Sequence, residues 1–365
     1  MKIMVIQDYL RCGGTEMQSI SLAWGFQEMG WGTRLLTFRP GGPLAGIVRE
    51  KAVGWEWLQR IDTTANWVAP GLGKAIRTFN PDVALLMGRE ANCQGFAIKK
   101  DFPDLMVAGT VRTGRKLPVR YKKSLEACDF VIANSQWAAE RISQCGIDLR
   151  NLPKIIPNGL VHKFDYNSKT KLRMLARKQM GAGNETTVLL LCAAYRKGKN
   201  HFQLLEILNR LAGDWELWLA GAGPLKKQFL KGLKNSGFRD KVKDAGQIFE
   251  LSGLYSGADI GILPSLEESL SNFLVECQCW GLPVVAYDCG GNKETFEDGK
   301  SGSLVPLGKG IAFRNILGKL LANPAQRIQM GNSGAKFARQ KFDFESRLED
   351  YIQLFKPSSP SPKEG

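Results

Sequence analysis

The chain has 365 residues, 44% hydrophobic and 23% charged, the make-up of a soluble globular protein with room for two domains that each bury a core. Its 50 Lys+Arg against 35 Asp+Glu give a net charge of +15, concentrated in the first half: 27 basic against 16 acidic residues over 1–185, and 23 against 19 over 186–365. No apolar run reaches the roughly 18–20 residues of a membrane span, the eight cysteines are scattered, and two histidines offer no zinc spacing; membrane-spanning and metal-stapled classes are set aside, and reduced thiols in a cytoplasmic protein are expected.

In chain order, Lys2 to Gln7 reads as a first strand, its apolar run cut by Gln7 and Asp8 and so unlike a signal peptide. A loop with Gly13 and Gly14 follows, which reads equally as a plain tight turn or as backbone that approaches a ligand closely, then a helix from about Glu16 to Met29, for which Thr15 and Gln18 fit a capping box. Strands are predicted at Thr33 to Phe38, Val83 to Met87, Leu105 to Val111 and Phe130 to Asn134, with Ser135 capping the next helix. Basic residues crowd Lys99 to Lys123, as a solvated face or as a surface for anionic lipid or an acidic acceptor; no nucleic-acid motif accompanies them. The polar, basic stretch 161–185 reads as an interdomain connection.

A second alternation of strands and helices starts at Thr187 to Ala193, an apolar run of the kind that buried parallel strands show. A helix from about Asn200, strands at Glu216 to Ala220 and near Val242, and the turn Gly221-Ala222-Gly223-Pro224 come next; the turn lacks the third glycine of a dinucleotide fingerprint and reads as a tight strand-to-helix turn. From Lys309 the chain is predicted mostly helical to Phe355, with a disordered tail over 356–365. The pattern predicts an α/β chain of two doubly wound, Rossmann-like halves: 1–160, and 186–340 with a helix 341–355 packing back on the first.

The stretch Pro264 to Gly291 concentrates the chemistry. It runs from a strand at Asp259 to Leu263, through an acidic loop with Glu268 and a helix with Asn272 and Glu276 one turn apart, into a strand at Pro283 to Tyr287. The helix start offers backbone amides near Asn272, Phe273 and Leu274 to an anion. Carboxylates on both sides of a phosphate-ready helix start suit a ligand with hydroxyls at each end and phosphates between, such as a nucleotide sugar. Glu268 beside Glu267, taken alone, reads first as loop solubility, whereas Glu276 among Leu274, Val275, Cys277 and Trp280 needs a ligand or a buried partner. Lys197 and Lys199 sit where an apolar strand ends, and His201 reads as a packing or capping residue.

An ordered series of motifs carries a resemblance: Gly13-Gly14-Thr15-Glu16, Asn134-Ser135, Ile156-Pro157-Asn158-Gly159, Lys199-Asn200-His201, Gly221-Ala222-Gly223-Pro224, Leu263-Pro264-Ser265, Glu268 with Glu276, Gly281 to Ala286, and Gly290-Gly291 with Glu294. Together they resemble the retaining glycosyltransferases of family 4 (glycosyl transferases group 1), which have the GT-B fold of two Rossmann-like domains facing a cleft. The resemblance implies an acceptor domain first and a donor domain second. Glu276 would take the donor ribose, Glu268 would lie by the donor sugar, and amides near Asn272, Phe273 and Leu274 would hold the diphosphate. Gly13 and Gly14 would approach the donor, and Ile248 the base. Lys199 and Arg196 would neutralise the leaving diphosphate, with no metal or other cofactor. Arg196 stands three residues before Lys199, where many relatives instead have an arginine at the position of Ala194; Ser269 replaces a usual glycine; and Arg112 replaces a histidine that some relatives carry, which with Arg115 suggests an anionic acceptor group.

The function implied is transfer of a hexosyl unit from a UDP- or GDP-linked sugar to a saccharide or lipid-linked acceptor in surface polysaccharide or lipopolysaccharide synthesis, with peripheral contact at the inner face of the cell membrane. The alternatives are a sugar-nucleotide epimerase of the same fold, disfavoured by the scarcity of histidine, and a non-catalytic nucleotide-sugar-binding protein.

Overall fold

A computed structural model describes residues 1–160 and 166–356, with side chains from Ser168 onward in the second segment. They form two compact units, one from residues 1–112, 116–160 and 343–356, the other centred on residues 166–342.

In the first unit seven parallel strands, β1 (Lys2–Gln7), β2 (Gly32–Thr37), β3 (Trp55–Trp57), β4 (Val83–Leu86), β5 (Met106–Val111), β6 (Phe130–Ala133) and β7 (Lys154–Ile155), run in the order β3-β2-β1-β4-β5-β6-β7. Alternation along β1 puts Ile3 and Val5 into one core layer and Met4 and Ile6 into the other, as a sheet covered on both faces requires. The strand order reverses between β1 and β4, the place where such sheets take ligands. Helix Phe344–Phe355 completes this unit: Phe344, Leu348, Tyr351 and Phe355 enter the layer that holds Ile20 and Phe26. Gly25 is glycine because a Cβ there would stand 2.8 Å from Leu348 and Phe344.

The second unit repeats the plan with β8 (Thr187–Cys192), β9 (Trp215–Ala220), β10 (Val242–Asp244), β11 (Ile260–Leu263), β12 (Val284–Tyr287) and β13 (Gly302–Val305) in the order β10-β9-β8-β11-β12-β13, all parallel, with the reversal between β8 and β11. One core built on Leu189, Leu191, Trp218 and Ile262 fills it.

The structure departs from the sequence reading at three places. The stretch 161–185 includes a helix, Tyr166–Met180, that belongs to the second unit. Its polarity misleads because its arginines point inward: Arg173 and Arg177 hold Asp259 at 2.7 and 2.6 Å, and Arg177 is 3% exposed. Residues 161–165 of that stretch, and 357–365 of the expected tail, lie outside the described residues. The capping box does not form. Helix Gly14–Glu28 starts on Gly13 without a side-chain cap, and Gln18 bonds both backbone groups of Gly159, donating to the carbonyl at 2.5 Å and accepting from the amide at 3.2 Å. The region after Lys309 is helical to Phe355 as expected, in three helices broken by Asn323-Pro324 and by Asp343, whose carboxylate accepts from the Ser346 amide at 2.8 Å. Strands β3, β7 and β13 did not show in the sequence pattern. Ser135 caps its helix as expected, accepting from the Ala138 amide at 3.1 Å.

Candidate functional site

The carboxyl ends of β8, β11 and β12 bring together the residues of the second unit that the sequence singled out. After β8 the chain makes a single tight turn, Lys197–Lys199, and Asn200 takes a left-handed conformation (φ +53°) before helix His201–Leu208. This aims Lys199 at the loop that follows β11. Its Nζ lies 2.5 Å from Glu268 Oε1, and Glu268 is 8% exposed. A second tie between the two segments is the Leu266 amide donating to the Gly198 carbonyl at 2.8 Å. Glu268 is therefore an inward, cation-paired carboxylate and not a solubilising loop charge. Arg196 is exposed.

Two glycine turns hold this geometry. A Cβ on Gly290 (φ +56°) would stand 1.7 Å from the Glu268 carbonyl oxygen, so the Gly290-Gly291 turn lies directly against the acidic loop. The Cys289 thiol adds a contact to the Ser265 carbonyl at 3.1 Å. Gly221 and Gly223 play the same part for the segment after β8, their would-be Cβ atoms falling 2.1 Å from the Ala193 carbonyl and 2.5 Å from that of Tyr195. That turn is a packing device, in line with its missing third glycine. Below it His201 stacks on Tyr195 at 4.2 Å, and burial, then Lys199, pushes its pKa down to about 4, so the ring is neutral.

Helix Asn272–Cys279 starts on Ser271, whose hydroxyl accepts from the Leu274 amide at 3.5 Å, the long end of hydrogen-bond range. Of the amides expected to face phosphate, that of Leu274 is thus satisfied internally. Asn272 and Glu276 lie one turn apart on the helix, with Phe273 and Leu274 buried between them. Glu276 accepts a hydrogen bond from the hydroxyl of Tyr255, a residue the sequence reading did not single out because an aromatic in the short apolar helix Ser252–Gly257 looks like plain core. Ile248, in the loop after β10, is half-buried against the second core.

The first unit's candidates look different. The space above Gly13 holds the protein's own carboxylate: a Cβ there would be 2.4 Å from Glu16 Oε2, and Glu16 pairs with Arg11 at 3.4 Å. Gly14 opens the helix. Arg112, expected to face an acceptor, instead donates to Asn158 Oδ1 and to the Tyr351 hydroxyl, a strut between the Ile156-Pro157-Asn158-Gly159 segment and the last helix. Arg115 is exposed. Part of the basic cluster is also structural: Lys99 pairs with Asp129 at 2.8 Å, Lys122 donates to the Cys145 carbonyl at 2.9 Å, and Lys123 sits 4.0 Å over the Phe96 ring. Sequence reasoning missed Asp8 at the carboxyl end of β1. It is 3% exposed, accepts from the Ala91 amide at 2.7 Å, and burial pushes its pKa up to about 6.

Known proteins resemble the chain in sequence and in fold. Residues 185–323 match the family model described as glycosyl transferases group 1. Among curated relatives, a D-inositol 3-phosphate glycosyltransferase of Corynebacterium urealyticum is 34% identical over 32% of this chain and 27% of its own length. The alpha-D-kanosaminyltransferase of Streptomyces kanamyceticus is 25% identical over 55% of each chain. The chain thus spans between about a quarter and somewhat over half the length of these relatives. Among solved structures, Anabaena Alr3699/HepE in complex with UDP-glucose superposes with a TM-score of 0.83 over 97% of this chain and 99% of its own, at 20% identity. The chain therefore has the GT-B fold, and the stretch that resembles the glycosyl transferases group 1 family lies in its second unit.

Proposed function

We propose that the chain is a retaining glycosyltransferase that moves a hexosyl unit from a nucleoside-diphosphate sugar, UDP-linked by preference, to a saccharide or lipid-linked acceptor of surface polysaccharide or lipopolysaccharide synthesis. The observation that carries it is the grouping of Lys199, Glu268, the start of helix Asn272–Cys279 and Glu276 at the carboxyl ends of β8 and β11, beside the strand-order reversal. Transferases among the relatives and a UDP-glucose-bound neighbour support the reading. Glu276 takes the ribose hydroxyls and Glu268 the sugar hydroxyls. Lys199 and Arg196 offset the charge that grows on the departing diphosphate, the part of the barrier that preplaced cations lower. With two cations in that role no metal is needed. The new glycosidic bond forms on the face the diphosphate leaves, and a phosphate oxygen takes the acceptor hydroxyl's proton, so no side chain serves as base.

The basic first unit is proposed to rest on anionic membrane lipid. No helix among the described residues is long and apolar enough to cross a membrane.

The test is nucleotide release from UDP-glucose and other nucleotide sugars, with and without a saccharide acceptor, in the presence of a chelator. The reading expects release that depends on acceptor, survives the chelator, and gives a product with the donor's anomeric configuration by NMR. Interconversion of nucleotide sugars without acceptor would replace it with the epimerase reading.

A further inference from the structure

Resting on that reading of Glu276, we propose that Tyr255 is a positioning residue for donor binding: its buried hydroxyl holds one carboxylate oxygen of Glu276 and leaves the other for the donor's ribose hydroxyls.

Tyr255 is 2% exposed and lies in the helix that leads into β11, the strand whose far end delivers Glu268. Its ring packs against two aromatics beside Glu276, Phe273 in the same helix at 6.2 Å and its C-cap Trp280 at 6.5 Å with ring planes 12° apart. These stand three residues before and four after Glu276, so they share its helical face and fix the hydroxyl beside the carboxylate. Packing alone would be met by phenylalanine. The hydroxyl is there to bond, and it bonds Glu276 Oε2.

The direction of that bond is settled. Burial, and then Glu276 itself, pushes the Tyr255 phenol well above its ordinary range, so it stays protonated and donates to the carboxylate. Cys192, at the end of β8, is also close to Glu276; burial pushes its thiol up in the same way, so it adds no charge. A carboxylate with one oxygen fixed is held in one rotamer, and binding a diol then costs less ordering. It also sharpens choice: a fixed acceptor left without a hydroxyl is penalised, whereas a free one turns aside to water.

The experiment is a calorimetric titration of UDP and 2′-deoxy-UDP into the wild type, Tyr255→Phe, Glu276→Gln and the double variant. The wild type is expected to prefer UDP by about tenfold, the scale of one charge-assisted hydrogen bond. Tyr255→Phe should weaken UDP about five- to tenfold while leaving 2′-deoxy-UDP nearly unchanged, so the preference falls toward one, and it should add little on top of Glu276→Gln. In turnover it should raise the donor KM and leave kcat at saturation within about twofold. An unchanged preference in Tyr255→Phe, or equal weakening of both nucleotides as a merely structural role gives, overturns the proposal. A wild type that binds UDP without preferring it to the deoxy form overturns the assignment of Glu276 to the ribose, and a wild type that binds neither overturns the donor-site reading on which both rest.

Discussion

Strand β11 has a carboxylate at each end, and the two are used in opposite ways. At the amino end Asp259 is saturated: Oδ1 takes Arg173 at 2.7 Å, Oδ2 takes Arg177 at 2.6 Å and the Val188 amide at 2.7 Å, and Arg177 spends its remaining donors on the carbonyls of Gly257, Gly183, Asn184 and Thr186. At the carboxyl end Glu268 meets Lys199 at 2.5 Å, and Lys199, 30% exposed at its side chain, keeps donors to spare. The first pair locks a helix to a sheet. The second is a charged pair with unused capacity at the end of the sheet where such folds do chemistry. Saturation of hydrogen-bonding capacity separates the two roles better than burial does, since both carboxylates are largely buried.

The largest effect should come from breaking the saturated end. Asp259→Ala leaves Arg177 buried without its counter-charge and should cost about 3–5 kcal/mol in denaturant unfolding, with nucleotide affinity of the folded fraction unchanged. Lys199→Ala should do the reverse: kcat/KM down about 10²–10³-fold in a nucleotide-release assay, with Tm within a few degrees of wild type. If Lys199→Ala unfolds the protein as Asp259→Ala does, the distinction between the two ends fails.

Asp8, at the carboxyl end of β1 in the first unit, is a third type, buried and bonded to an amide but without a tight counter-charge. Its pKa rises from 3.8 unfolded to about 6 folded, through burial first. The native state therefore holds the proton more tightly, and stability falls as pH rises from about 4 to 6 and stays lower above that. Asp8→Asn should remove this slope, leaving stability near pH 4 unchanged and raising it at pH 7 by up to about 3 kcal/mol, as read from urea midpoints across that range. A variant less stable than wild type at pH 7 would show that the charge is satisfied after all. The smallest effect should be Gly290→Ala, which drives a methyl into the Glu268 carbonyl at φ +56° and should destabilise by roughly 1–3 kcal/mol while lowering turnover more than Tm.

Much of this was legible in the sequence. The two strand–helix alternations have strong period and punctuation, so ten of the thirteen strands could be placed, and the motif series located Lys199, Glu268 and Glu276. What could not be read were features defined by partners far along the chain. Arg173 and Arg177 look like linker charges until Asp259, more than eighty residues on, is seen between them. Gln18 looks like part of a cap until Gly159 is found against it. Arg112 looks free until Asn158 and Tyr351 close on it. Tyr255 was hidden for the opposite reason: it belongs in the core by size and hydrophobicity, and only its hydroxyl, bonded to Glu276, sets it apart.

On the proposed function, the carboxyl end of the second sheet holds a nucleoside diphosphate through Glu276. A thermal-shift titration of wild type and Glu276→Gln with UDP, GDP and ADP tests it most directly. One of the three, UDP by preference, should stabilise the wild type by about 2.7 kcal/mol at a hundred times its Kd, and Glu276→Gln should need several-fold more nucleotide for the same rise. No rise with any of the three, or a rise that Glu276→Gln leaves unaltered, would contradict it.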